Sequence, residues 1–299
     1  MPLAILVPGG TGQLGRELAG LAPDGALVVT PGRAELNLTQ AGAVIEAVTS
    51  IAEQARDKGL DPVVINAAAY TAVDAAEGDE KAAFAVNADG PRVLAAACSS
   101  RGVPLVHVST DYVFPGDGER PYEPTDPVGP RSVYGITKLA GEDAVLGSGA
   151  SAWVVRTAWV YGAHGGNFVR TMIRLAGERD TVSVVDDQRG SPTWTGDLAA
   201  GLLELAQRVV GGDPPKQRLL HATGAGEVTW FGFARAIFEE LGTDPERVTP
   251  CTTADFPLPA PRPAYSVLSN KSWREAGLTP LRDWRSALSA AFGSLVSPG

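Results

Sequence analysis

The chain is 299 residues long, 44% hydrophobic and 20% charged, which is enough to bury about three quarters of the surface its unfolded form exposes and fits one large domain or two unequal lobes. A net charge of −9 argues against a nucleic-acid surface, which needs clustered Lys and Arg, though a nucleotide can still be held at a helix N-terminus. Cys98 and Cys251 are too few for a disulfide framework and suit a reducing cytoplasm, no apolar run is long enough to span a bilayer, and His107, His164 and His221 show no metal-ligand spacing.

In chain order, "LAILV" (3–7) is a short apolar run ending at glycines, which predicts a buried parallel strand rather than a signal segment. Residues 12–22 follow as a helix, 26–30 as a second strand, 40–58 as a helix and 62–69 as a third strand with its exit. Residues 80–101 carry an apolar helical pattern, and "PLVHVST" (104–110) is a fourth strand. A Pro- and Gly-rich loop leads to a helix over 134–147 and a fifth strand over 152–157. This alternation predicts an α/β fold of Rossmann type, a doubly wound parallel sheet that binds its ligand beyond the carboxyl ends of the strands.

The second half is less regular. Helices are expected over 167–178, 197–210 and 229–241, and a strand over 182–186. "FPLPAPRPAYS" (256–266) is too rich in proline for a helix or central strand and is expected to be an ordered binding loop. The expected organisation is a dinucleotide-binding domain over 1–160, to which about 187–222 returns, and a smaller substrate-binding lobe formed mainly by 161–299.

"VPGGTGQLGRELAG" spaces Gly9, Gly12 and Gly15 three apart between the first strand and first helix. Glycine lets the backbone approach a pyrophosphate, and the helix N-terminus supplies amide donors; Gly15 allows close helix–strand packing. NAD sites usually place an Asp or Glu at the end of the second strand. Here "VVTPGR" offers no acid, and Arg33 can meet a 2′-phosphate, so NADPH is favoured with NADH left open.

"SVYGITKLAGE" sets Tyr134 and Lys138 four apart, on one helix face. Reduction of a ketone needs a hydride donor and a group that gives the oxygen a proton. A phenol can serve, with a neighbouring ammonium expected to lower its pKa and to hold the cofactor ribose. Thr110, closing the fourth strand, can orient the carbonyl.

The glycine spacing and the Thr110, Tyr134, Lys138 set resemble the short-chain dehydrogenase/reductase superfamily. "GQLGREL", "NAAAYTAVDAAE", "VNADGP", "STDYVFPGDG", "YGITKLAGE", "RTAWVYG" and "DDQRGSPT" further resemble its dTDP-4-dehydrorhamnose reductase family across essentially the whole chain. That resemblance implies reduction of the 4-keto group of a dTDP-4-keto-6-deoxyhexose, giving dTDP-L-rhamnose, with Tyr134 as proton donor supported by Lys138. It implies cofactor contacts from Gly12, Gln13, Leu14, Ala68, Ala69 and Tyr70, and sugar contacts from Thr110 and Asp111, with Trp159 packing nearby. Asn37–Leu38 stands where the family often has an Asp-Leu or Asp-Ile pair near the adenine. Arg262 can pair with the substrate diphosphate.

Some relatives hold magnesium through glutamates at a dimer contact. Glu17 occupies one such position, but "SPTWTGDLAAG" offers no second glutamate, so no metal site is expected, and the chain is expected to be a monomer or homodimer. Three rivals stay open. Sugar-nucleotide 4,6-dehydratases follow the threonine with Asp-Glu, where this chain has Asp111–Tyr112. The others are a 4-ketoreductase for another natural-product deoxysugar and a non-catalytic, nucleotide-binding regulatory subunit.

Overall fold

The computed structural model describes residues 2–296; Met1 and 297–299, the outer ends of the two expected lobes, lie outside the described residues. In the first half the elements are β1 (Leu3–Leu6), α1 (Gln13–Gly20), β2 (Leu27–Val29), α2 (Ala41–Lys58), β3 (Asp61–Asn66), α3 (Val73–Ala76), α4 (Glu80–Phe84), α5 (Gly90–Arg101), β4 (Leu105–Thr110), α6 (Val133–Leu146) and β5 (Ala152–Thr157). The second half contains β6 (Val160–Tyr161), α7 (Phe168–Glu178), β7 (Val182–Val185), β8 (Arg189–Gly190), β9 (Thr193–Trp194) and α8 (Thr195–Val210). It continues with β10 (Leu219–His221), β11 (Val228–Thr229), α9 (Trp230–Glu240), β12 (Val248–Cys251), α10 (Lys271–Glu275) and α11 (Trp284–Val296).

The main sheet has six strands in the order β10-β5-β4-β3-β1-β2, all parallel. Its strands are buried on both faces, so successive residues serve opposite cores. Leu3, Ile5, Val63 and Ile65 pack with Leu198, Leu202 and Leu205 of α8. Their neighbours Ala4, Leu6 and Val64 pack with Val44, Val48 and Ile51 of α2 and with Leu94 and Cys98 of α5. After β2 the chain crosses from one side of β1 to the other to form β3. That reversal opens a crevice at the carboxyl ends of the strands.

A third core, built on Tyr161, Met172, Val184, Phe233, Ile237 and Leu288, lies in the second half. It joins α7, α9 and α11 to β7, which pairs in parallel with β12.

The expected helix over 80–101 is not continuous. A π-helical turn, Ala85–Asp89, separates α4 from α5. Single π turns inside α-helices recur at functional sites, and here the turn aims Asn87 inward. Asn87 Oδ1 accepts from Tyr70 N–H (2.8 Å), while its Nδ2 donates to Tyr70 O (3.2 Å) and Thr137 Oγ1 (3.1 Å). One side chain thus ties the exit of β3 to α6.

The stretch 256–264 contains no helix or strand. Its end is pinned: Tyr265 N–H donates to Gly116 O, and Arg189 N–H to Ala264 O. No helix among the described residues is long and apolar enough to cross a membrane.

Candidate active site

A cleft of about 650 Å³ runs along the carboxyl ends of β1, β3, β4 and β5. At one end sits the turn between β1 and α1. Gly9 has φ +79°, and a Cβ there would come within 2.8 Å of Ala68 backbone, so the two chain segments approach closely only with glycine at this position. Gly12, the residue before α1, provides no side-chain cap, and the first turn of α1 holds no acid. The amides of this helix start are therefore free to meet an anion in the cleft. This fits a dinucleotide pyrophosphate. Arg33, beyond β2, lines the same cleft, as do Asn37 and Leu38.

Gln13, Leu14, Ala68, Ala69 and Tyr70 also line it. Gln13 bridges to the far wall, accepting from Asn167 Nδ2 at 2.9 Å. Gly15 lies outside the lining, and a Cβ there would meet the backbone of Gly9 and Gly10, so α1 packs closely on the turn that precedes it. Glu17 faces away from the lining and accepts from Thr195 Oγ1 at 3.3 Å.

At the centre, Thr110, Asp111, Tyr112, Tyr134 and Lys138 converge. Ser132 caps α6 by accepting from Gly135 N–H, which fixes where the helix starts and so where Tyr134 and Lys138 stand. Lys138 is 2% exposed; its Nζ donates to Val108 O at 2.7 Å. Burial lowers its pKa to about 8, opposed by Glu142 one turn on. Glu142 is itself paired with Arg156 of β5 at 2.6 Å, and both are 2% exposed.

Tyr134 departs from expectation. Its phenol is pushed up to about 12, by burial first and by the charge of Asp111, with a Thr110 hydrogen bond opposing. Desolvation of the phenolate dominates, and Lys138 is not among the groups that move this pKa. Asp111 is likewise raised, to about 6, by burial, against hydrogen bonds that include Thr110. Thr110 O–H donates to Asp111 Oδ1 at 2.9 Å, and Tyr112 N–H donates to Thr110 Oγ1 at 3.2 Å.

Trp159 also lines the cleft. Its φ is +48°, the one left-handed non-glycine residue among those described, and such a backbone conformation persists only where the surroundings impose it. Its ring stacks on Trp230 at 3.5 Å, nearly parallel. Arg262 does not reach this cleft. It pairs with Asp74 at 2.6 Å and donates to Ala260 O, beside a small pocket shared with Tyr112 and Phe114.

Sequence reading missed Thr11, Ser109, Thr157 and Gly165–Gly166 among the lining residues. Of these, only the paired glycines of "AHGGN" carried a local signal. Trp230 reads as one more apolar residue of an amphipathic helix.

A parallel sheet with a glycine turn at its first crossover, and Thr, Tyr and Lys gathered at its centre, is the arrangement of a dinucleotide-binding α/β oxidoreductase. The sequence model of the RmlD substrate binding domain family matches residues 3–296. A dTDP-4-dehydrorhamnose reductase of Streptomyces griseus is 50% identical over 97% of this chain and 93% of its own length. A probable dTDP-4,6-dihydroxy-2-methyloxan-3-one 4-ketoreductase of Streptomyces antibioticus is 49% identical over 98% of this chain and 95% of its own length. The crystal structure of dTDP-4-dehydrorhamnose reductase from Bacillus anthracis in complex with NADP superposes with a TM-score of 0.90 at 34% identity, covering 98% of this chain and 99% of that one. The chain belongs to the dTDP-4-dehydrorhamnose reductase (RmlD) family.

Proposed function

We propose that the protein reduces the 4-keto group of dTDP-4-dehydro-L-rhamnose to give dTDP-L-rhamnose, using NADPH. The observation that carries this reading is the convergence of Thr110, Tyr134 and Lys138 in one cleft with an uncapped, acid-free helix start. The cofactor, when bound, supplies the hydride. Gly9, Gly12, Gln13 and Leu14, which line the cleft, would hold its pyrophosphate, Arg33 would meet its 2′-phosphate, and Ala68, Ala69 and Tyr70 would pass along it.

Tyr134 is protonated at neutral pH, as any phenol is, and burial pushes its pKa further up, to about 12; it delivers that proton as negative charge develops on the carbonyl oxygen. An alkoxide is a far stronger base than a phenolate, so the transfer is downhill. Lys138, charged below about 8, sits one helical turn away. It would hold the ribose of a bound cofactor and stabilise the phenolate once the proton has left. Thr110 directs the carbonyl once its single hydroxyl proton, here donated to Asp111 Oδ1 at 2.9 Å, turns to the substrate oxygen; Asp111 is ionised above about 6. Trp159 walls the sugar. Tyr112 in place of an acid after Asp111 leaves no second carboxylate there for elimination of water, which favours reduction over dehydration.

The 49% identical ketoreductase of Streptomyces antibioticus favours a second reading, reduction of another dTDP-4-keto-deoxysugar by the same residues. Residues 1–160, with 187–222 returning to them, serve as the cofactor lobe. The rest of the chain from 161 serves mainly as the substrate lobe, a division supported by β10 in the main sheet and by the core behind Trp230, although Trp273, Leu278 and Leu281 pack with the main sheet. NMR of the product from a panel of dTDP-4-keto sugars tests both readings. Formation of dTDP-L-rhamnose with NADPH consumption supports the first. Turnover of a different ketosugar alone supports the second, and NADPH binding without turnover points to a regulatory subunit.

A further inference from the structure

His107 lies on β4, fully buried, behind the cleft and outside its lining. Asn66, at the end of β3, stands between it and the backbone. Asn66 Oδ1 accepts from Ala68 N–H at 3.1 Å, which leaves the amide Nδ2 to face His107 Nδ1 at 3.0 Å. An amide NH2 can only donate, so Nδ1 must be the bare acceptor. The imidazole proton then sits on Nε2, and a second proton has no place on Nδ1. Burial and the nearby Lys138 charge both hold the ring neutral.

His107 Nε2 lies 3.5 Å from Lys138 Nζ. An imidazole N–H and an ammonium are both donors. The contact becomes a hydrogen bond only when Lys138 is a neutral amine, with a lone pair to offer. We propose that His107 is a positioning residue for Lys138: Asn66 locks its proton on Nε2, and that N–H bears on the lysine nitrogen and limits the pH range over which Lys138 stays charged.

The other groups around Lys138 do not provide this effect. Glu142 on α6 favours the charged lysine but is held by Arg156 of β5. Tyr134 on α6, and Asp111 and Tyr112 in the turn after β4, lie along the cleft. Glu77, following α3, is engaged with Val133 N–H at the start of α6. His107 alone presents an N–H to the lysine from the strand beneath.

The catalytic part of this proposal rests on the role of Lys138 given above; the tautomer does not. NMR of protein labelled with 15N-histidine, with His107 assigned by its loss in His107→Leu, reads the tautomer directly. The proposal expects a protonated Nε2 and bare Nδ1 from about pH 6 to about pH 9; an Nδ1–H tautomer or an imidazolium in that range overturns it. Asn66→Asp keeps the acceptor for Ala68 N–H and adds one for Nδ1–H, so the proton moves and Nε2 becomes an acceptor for the ammonium. The alkaline limb of kcat/KM for NADPH then rises by about one to two pH units, the size of one hydrogen bond to a charged group.

His107→Leu raises the limb as well, and adding Asn66→Asp to it brings no further rise. A further rise would mean that the carboxylate introduced by Asn66→Asp acts on Lys138 directly, and unmoved limbs in both single variants would remove His107 from the reaction; either result overturns the proposal. If the wild-type protein turns over no ketosugar, the same shifts are read from the 13Cε resonance of Lys138, so failure of the functional reading and failure of this inference are told apart.

Discussion

Gly190→Ala tests the proposal that Trp159 walls the sugar, with a single methyl group. A Cβ at position 190 would lie 2.6 Å from Trp159 Nε1 and 2.7 Å from Cζ2, closer than real Cβ contacts come. The indole cannot swing away through its face, because Trp230 stacks on it at 3.5 Å and Phe168 backs Trp230 at 4.5 Å. Its backbone is already left-handed at φ +48°, a conformation that costs on the order of 1–3 kcal/mol. Overpacking a fixed site costs about 1–3 kcal/mol more. If Trp159 moves to relieve the contact, that energy is lost from sugar binding, and 1.4 kcal/mol is a factor of ten. Steady-state kinetics should show kcat/KM for the ketosugar falling roughly tenfold to a hundredfold. KM for NADPH should stay unchanged, because the glycine turn lies at the other end of the cleft. Trp230→Leu added to Gly190→Ala gives the indole room to shift and should bring the two changes well below additivity. Unchanged sugar kinetics in Gly190→Ala, with the fold intact by circular dichroism, would refute the claim that Trp159 is a fixed wall.

Tyr134→Phe should bind NADPH as the wild type does, followed by fluorescence, yet lose about 10²–10⁴-fold in kcat; full activity would remove it as proton donor. Arg33→Ala should raise KM for NADPH by roughly tenfold or more while leaving KM for NADH near its wild-type value, and equal effects on both would place Arg33 away from the 2′-phosphate. His221 is held neutral, its pKa lowered to about 3 chiefly by burial. Its folded pKa lies below the unfolded value of about 6.5, so this contribution is complete above about 6.5 and is lost as pH falls towards 3, about 2 kcal/mol by pH 5. Burial of Asp111 pulls the other way below about 6, so the measurement is a comparison. Urea unfolding at pH 7 and pH 5 should show a larger loss in wild type than in His221→Asn; equal losses would contradict a neutral, buried His221.

Much of the first half was legible because its signals are local. An apolar run, a glycine turn and an amphipathic helix repeat along the chain, and Tyr134 and Lys138 share a helix face by spacing alone. The second half hid β10, which has three residues and too short a run to show a period. It also hid β12, which joins β7 through a pairing 66 residues away, Val248 with Val182. Electrostatics were less legible still. Spacing puts Lys138 on the same helix face as Tyr134, but only the folded burial shows that desolvation drives the phenol up rather than down. Arg262 reads as a diphosphate partner, while in the fold Asp74 already holds it. Asn66, His107 and Trp230 act through contacts between elements that no local pattern announces.

The central claim is that this cleft reduces a dTDP-4-keto-6-deoxy sugar at C4. Purified protein, given NADPH and dTDP-4-dehydro-L-rhamnose, should consume the two in equal amounts and yield dTDP-L-rhamnose by NMR. Conversion of dTDP-glucose to its 4-keto-6-deoxy product without NADPH consumption, or no turnover despite tight NADPH binding, would contradict it.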